Sequence, residues 1–150
     1  MPAVLAAGAW FKNAVCAVRA GEARLSPVVG DLNTPEACVG HERETDALLA
    51  WLGKPELIAH DLHPDFHSSR HAVELAARLG VPALGVQHHH AHIAAVCAEH
   101  GHEGPVIGLA LDGVGLGTDN TPWGGELLRV DGALFDRLGH LAPVALPGGG

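Results

Sequence analysis

Gln87-His88-His89-His90-Ala91-His92 places four imidazoles within five consecutive positions, between an apolar strand pattern and a helical one. His88 and His92 are four residues apart, which on a helix puts both side chains on one face, one turn apart. Two neutral imidazoles so placed can ligate one metal ion, and the ligand type suits zinc, iron or nickel. Two ligands leave a site incomplete, so a carboxylate from elsewhere in the chain is required. His89 and His90 point off that face and are candidates for supporting or substrate-contacting groups. The competing reading is a solvated, histidine-rich helix start.

Asp112 is the first acid after that cluster to stand at a strand end. It is followed by Gly113, Gly115 and Gly117 at alternate positions. Glycines let backbone N–H groups approach phosphate oxygens and form an anion nest. The carboxyl end of a strand is where α/β proteins place ligand-binding groups. Asp112 can therefore bind a metal, orient a metal-bound water or act as a base. The alternative is a glycine-rich hairpin whose Asp makes a local turn hydrogen bond. The pattern matches neither the Walker A loop nor the Rossmann fingerprint.

Three further groups carry weaker signals. Lys12, in the turn Gly8-Ala9-Trp10-Phe11-Lys12-Asn13, can reach a nucleotide phosphate as a point charge, although an isolated lysine is ordinarily just solvated. Asp61-Leu62-His63-Pro64-Asp65 offers an acid and an imidazole at a strand end, where local turn capping is the default. Trp123, in Thr121-Pro122-Trp123-Gly124-Gly125-Glu126, can stack on a base or pack under the glycine loop, and packing is the default.

The elements that must position these groups are legible in outline. Residues 3–9, 13–20 and 23–29 read as three short strands in a β-meander. Thr34-Pro35-Glu36 starts a helix that runs to Trp51 or Leu52, with Ala47, Leu48, Trp51 and Leu52 on one face and Gly40 a possible break. A strand follows over 56–62. A second helix over 68–79 is capped by Ser68 or Ser69 and ended by Gly80. Residues 83–86 form a strand, 90–100 a third helix, and 105–111 a strand. Residues 126–130 and 133–138 form a hairpin across Asp131-Gly132. A meander followed by alternating helices and strands predicts an α/β domain with a mixed sheet.

Composition narrows the function classes. The chain has 150 residues, 47 % of them hydrophobic and 17 % charged, which suits one globular domain. A net charge of −8 disfavours binding to nucleic acid or to anionic membranes. Twelve histidines make the surface potential sensitive to pH between about 7 and 5.5. Three dispersed cysteines without a C-x-x-C pair argue against a disulfide framework and fit a reducing cytosol. The N-terminus does not read as a signal peptide, and no apolar run is long enough to span a membrane.

Taken in order, GAWFKN, GDLNTPEA, AHDLHPDFHSSRHA, GVQHHHAHIAAVCAEHG, IGLALDGVGLGTDNTPWGGELL and HLAPVALPGG resemble the C-terminal module of the HypF hydrogenase-maturation carbamoyltransferases across nearly the whole chain. The resemblance implies the first lobe of an actin/sugar-kinase/Hsp70-like (ribonuclease H-like) fold, of the TsaD-like branch. It implies transfer of a carbamoyl group from an ATP-derived carbamoyl-adenylate to the C-terminal cysteine of a HypE-like partner, on the way to the cyanide ligands of [NiFe]-hydrogenase. His88 and His92 match the family's metal-binding histidines, with Asp112 joining them around zinc or iron and serving catalysis. Lys12, Asn13, Gly113, Gly115 and Gly117 lie where nucleotide phosphates are contacted.

The same resemblance sets expectations about completeness. Residues 1–150 are expected to form a single, truncated lobe in the cytoplasm. The acylphosphatase-like, zinc-finger and YrdC-like domains of the family are absent, and so is the second lobe that supplies a further acidic ligand. The terminal Leu146-Pro147-Gly148-Gly149-Gly150 reads as the middle of a loop. Two other readings stay open: a non-catalytic half-domain that binds metal or a partner, and a TsaD-like threonylcarbamoyl transferase.

Overall fold

Leu5 and Ala17 oppose each other across the first strand pair, and both are fully buried. In this computed structural model, which describes residues 2–144, they mark the centre of the first of two units, divided between Val86 and Gln87. The terminal stretch 146–150 lies outside the described residues.

In the first unit, β1 (Val4–Ala6), β2 (Cys16–Arg19) and β3 (Glu22–Leu25) form the expected antiparallel meander. β1 also pairs in parallel with β4 (Leu57–Asp61), and β4 pairs in parallel with β5 (Ala83–Val86). The order β3-β2-β1-β4-β5 is a mixed sheet. The first two strands are shorter than their apolar runs. After β1 the chain leaves the ladder near Gly8 and Lys12, both at positive φ, and Asn13 makes an isolated bridge with Gly30 before β2 resumes the pairing at Cys16.

Helix α1 (Pro35–Leu52) starts as its sequence dictates, with Thr34 Oγ1 accepting the Ala37 N–H at 3.2 Å and Pro35 at the first helical position. Gly40 does not break it. The helix is anchored on both sides of that residue by buried His41, Thr45, Leu48 and Leu52 and by the cap, which outweigh a glycine cost of about 1 kcal/mol.

Helix α2 (His67–Leu79) begins one residue earlier than expected, and neither Ser68 nor Ser69 is its cap. Phe66 holds that position without a side-chain bond. Both hydroxyls are buried and donate into the unit, to Ala9 O at 3.1 Å and Asp61 O at 3.0 Å, instead of accepting from the helix's own first N–H groups. Leu48, Leu52, Ala72, Leu75 and Ala76 of the helices close over Leu5, Ala17 and Ile58 of the sheet.

The second unit opens with α3 (His88–Glu99), which starts two residues before the expected position. It continues through β6 (Val106–Ala110), the two-residue ladder of β7 (Gly115–Leu116) with β8 (Pro122–Trp123), and the hairpin β9 (Glu126–Asp131)–β10 (Leu134–His140). β6, β9 and β10 make an antiparallel sheet in the order β10-β9-β6. Along β9 burial alternates, so Glu126, Leu128 and Val130 face inward. Ile93, Ala110, Trp123, Leu128 and Val130 form the core of this unit. The chain is thus α/β with a mixed sheet and helices beside it. Among the described residues no helix is long and apolar enough to cross a membrane.

Candidate metal centre

The first turn of α3 is built by Gln87. Its Oε1 accepts the His90 N–H at 2.9 Å, satisfying an otherwise orphaned helix donor. Glutamine is not a usual capping residue, and for that reason the sequence pattern places the start too late. With the helix starting at His88, the whole histidine cluster lies on it. His88 and His92 then fall one turn apart, ring centroids 4.8 Å from each other.

Asp112 enters from the loop after β6. The His88 and His92 Nε2 atoms are 3.2 Å apart. Asp112 Oδ2 lies 3.1 Å from the first and 3.6 Å from the second. A tetrahedral site with bonds of about 2.0–2.1 Å has ligand-to-ligand edges of about 3.3–3.4 Å, so this triangle has the size of a metal's ligand face. Both Asp112 oxygens are shielded from solvent and lack a hydrogen-bond partner. The nearby imidazole nitrogens are close enough for ion pairing but approach off the hydrogen-bond direction. A shielded carboxylate without donors is costly, and a cation on its lone pairs removes that cost. The three residues therefore fit a divalent cation on geometry and on donor chemistry.

The other histidines of the cluster do different things. His89 is fully buried, with Nε2 3.2 Å from Asp112 Oδ1 and Nδ1 3.0 Å from Gln87 Nε2. Burial pushes its pKa below the usual imidazole range, against the pull of the Asp112 carboxylate. His90 turns to the hairpin, with Nε2 2.9 Å from Gly132 O and its ring on Phe135.

The glycine loop supports this centre directly. A methyl on Gly115 would fall 2.5 Å from His88 Cβ, and one on Gly117 would fall 2.1 Å from Trp123 Nε1. Gly113 faces open space. Asp119 ties the loop down, accepting from Thr121 N (3.0 Å), Thr121 Oγ1 (2.7 Å) and Trp123 Nε1 (2.9 Å). Trp123 is core, not an exposed stacking platform. Beneath it lies a pair that motif reading did not single out. Fully buried Glu126 receives Arg137 through Nε (2.6 Å) and Nη2 (2.8 Å), and the guanidinium stacks 4.1 Å over the Trp123 ring. Only the inward phase of β9 could have flagged that acid.

In the first unit, Lys12 is exposed at positive φ, its N–H held by Asp31 Oδ1 at 2.9 Å. Asn13 is buried and spends its amide N–H groups on Ala7 O (3.0 Å) and Ala9 O (2.7 Å), which holds the turn in shape. Asp61 and His63 form a local turn, with the His63 N–H on Asp61 Oδ1 at 2.8 Å and the His63 ring stacked on Phe66.

Comparison with known proteins places these units. Residues 1–99 match the family model of the HypF Kae1-like domain, and residues 108–150 that of the carbamoyltransferase Kae1-like domain, second subdomain. The chain is 60 % identical to carbamoyltransferase HypF2 of Cupriavidus necator over 99 % of its length, spanning 18 % of that protein. Its structure superposes with a TM-score of 0.87, at 37 % identity over 94 % of the chain, on 18 % of a crystal structure of full-length HypF in the phosphate- and nucleotide-bound form. YeaZ from Pseudomonas aeruginosa shares the fold at 18 % identity and a TM-score of 0.62, over 98 % of this chain and 71 % of that one. The chain spans about a fifth of the length of these HypF relatives. The fold is the first lobe of the actin/sugar-kinase/Hsp70 type.

Proposed function

The chain belongs to the HypF carbamoyltransferase family, and from that premise we propose that it carries the metal-bearing part of a carbamoyl-transfer site. His88, His92 and Asp112 hold one divalent cation, zinc or iron. The observation that carries the reading is the triangle of 3.1, 3.2 and 3.6 Å between their ligand atoms, closed by a carboxylate with no hydrogen-bond donor of its own.

The reaction is the passage of a carbamoyl group from carbamoyl-adenylate to the C-terminal cysteine of a HypE-like protein in the cytoplasm. The thiolate attacks the carbamoyl carbon, the carbon–sulfur bond forms, and the bond to the adenylate oxygen breaks with AMP leaving. A bound cation supplies Lewis-acid polarisation of the carbamoyl or phosphate oxygen. Asp112 and the two imidazoles fix where that charge sits. In the first unit Lys12 offers a point charge to a nucleotide phosphate and Asn13 shapes its turn; in the second unit, taken by itself, the backbone at Gly113, Gly115 and Gly117 offers N–H groups to phosphate oxygens. The nucleotide- and phosphate-bound state named for the HypF relative supports a ligand of that class. Because the chain covers about a fifth of its relatives, residues 1–150 act as one lobe of a larger site whose second lobe adds a further acidic ligand.

Metal analysis of the purified chain and of His88→Ala tests the centre. The wild type should carry about one equivalent of metal and the variant none. Equal metal content in both overturns the assignment. The same substitution in full-length HypF2 should abolish carbamoylation of the acceptor cysteine, read by the acceptor's mass.

A further inference from the structure

We propose that Gln87 and His89 are a positioning relay for Asp112: Gln87 holds His89 in the Nε2–H tautomer, and that N–H faces Oδ1 so that Oδ2 is presented between His88 and His92. The inference rests on the metal reading of those three residues and extends it to two side chains that touch no metal.

The orientation of Gln87 follows from three partners. Its side chain is buried, with Oε1 accepting the His90 N–H at 2.9 Å and Nε2 donating to Leu116 O at 3.3 Å. Flipping the amide would set N–H against N–H at His90 and oxygen against oxygen at Leu116, so the network admits one assignment. Nε2 is therefore a nitrogen with hydrogens and no lone pair to offer. It lies 3.0 Å from His89 Nδ1, which must then be the acceptor. The proton of the neutral ring is left on Nε2.

That Nε2 sits 3.2 Å from Asp112 Oδ1. The approach is bent, so it acts as a dipole facing a charge and not as a strong hydrogen bond. Its sign still decides the geometry. An N–H there attracts Oδ1 and leaves Oδ2 beside the other two imidazoles, whereas a lone pair there would repel the carboxylate. The ring is fully buried and cannot swing away. A nitrogen that carries a proton cannot ligate, so His89 is not a fourth ligand despite its nearness.

Gln87→Glu is the discriminating variant. It keeps the size of the side chain and an oxygen for His90 N–H, but it presents an acceptor to His89 Nδ1. The proton should move to Nδ1 and leave a lone pair against Oδ1. His89→Leu removes the dipole, and His89→Gln returns an N–H near the same point. Two readouts serve: the His89 tautomer in the metal-free chain by long-range proton–nitrogen-15 NMR, and Co²⁺ affinity by the visible absorption of the bound ion. We expect the Nε2–H tautomer in wild type and Nδ1–H in Gln87→Glu. Co²⁺ affinity should fall about 10- to 100-fold in Gln87→Glu and His89→Leu and recover in His89→Gln. An Nδ1–H tautomer in wild type, or unchanged affinity in both weakened variants, overturns the relay. Failure of the wild type to take up Co²⁺ sinks the metal reading instead, and the tautomer pair then decides the relay alone. Should Gln87→Glu not fold, the contrast between His89→Leu and His89→Gln decides it.

Discussion

The main chain at Gly115 runs against the side chain of His88 so closely that an added methyl would lie 2.5 Å from His88 Cβ and 2.7 Å from Cγ. Carbon atoms do not approach to that distance, so Gly115→Ala must displace either β7 or the first residue of α3. Displacing His88 opens the ligand triangle. We predict a stability loss of about 1–3 kcal/mol, as for overpacking, and a drop in zinc or Co²⁺ affinity of about tenfold or more. Gly113→Ala is the matched control, because a methyl there meets nothing within 4 Å. It should leave both quantities unchanged. Denaturant melts and metal titration of the two variants check the pair.

Arg137→Ala should be among the most damaging single substitutions in the second unit. It leaves Glu126, which has no solvent exposure, as a buried carboxylate without its cation, and it strips the guanidinium from the Trp123 ring. A loss of about 3–5 kcal/mol is expected. Burial alone would raise the Glu126 pKa, but the Arg137 hydrogen bonds and charge overcome it and hold the carboxyl below its usual value. A depressed carboxylate contributes stability above its unfolded pKa of about 4.3, and that contribution is lost as pH falls through the folded value. The double variant Glu126→Leu/Arg137→Leu should unfold with a flatter dependence on pH below about 4.5 than the wild type.

The first unit should weaken at milder acidity. His41 is fully buried, its Nε2 3.0 Å from Ala7 O and its Nδ1 without a partner. His67 and His71 stand edge-on to it. Burial pushes the pKa of His41 down, with His71 and His67 adding to the fall while the Ala7 bond and Glu42 oppose it. Burial also lowers His71, where Glu42 and Asp46 oppose and His67 and Arg78 assist. A depressed imidazole binds fewer protons folded than unfolded below about pH 6.5, so stability falls as pH drops from there toward the folded pKa. Thermal melts from pH 8 to 5 should show that decline, and His71→Leu should flatten it. A parallel decline in the variant would assign the acid lability elsewhere.

What the sequence disclosed and what it hid follow from the range of each signal. His88 and His92 were legible because the helical repeat alone brings residues four apart together. Asp112 was legible as an acid between a strand and a glycine run. The start of α3 was not, because Gln87 is a weak capping signal until its buried contacts with His89 and Leu116 hold it in place. Ser68 and Ser69 looked like caps because their type favours caps, but distant carbonyls at Ala9 and Asp61 claimed their hydroxyls. The pairing of Glu126 with Arg137 depends on strand register between β9 and β10, which local pattern cannot supply. The glycines of the loop read as phosphate contacts. The packing demand at Gly117 comes from nearby Trp123, which the sequence already sets under the loop, whereas that at Gly115 comes from His88 on the preceding helix, beyond the reach of local pattern.

Asp112→Asn should reverse its sign with metal. Without a cation the wild-type carboxylate is shielded and has no hydrogen-bond donor, so the neutral amide removes a penalty. After treatment with a chelator, the variant should melt above the wild type, by an amount equivalent to about 1 kcal/mol. With zinc the order should invert, because an amide is a poor ligand and loses the charge. A ligand bound only to the folded state stabilises it by about 2.7 kcal/mol at a free concentration of 100 times Kd, which for a unit this small is a rise on the order of 10 °C in Tm. The wild type should show that rise and Asp112→Asn should not. Such a crossover is the signature of a side chain kept for a cation at the expense of the empty fold. Parallel melts of the two proteins with and without zinc would discard that role if the zinc-induced shifts were equal.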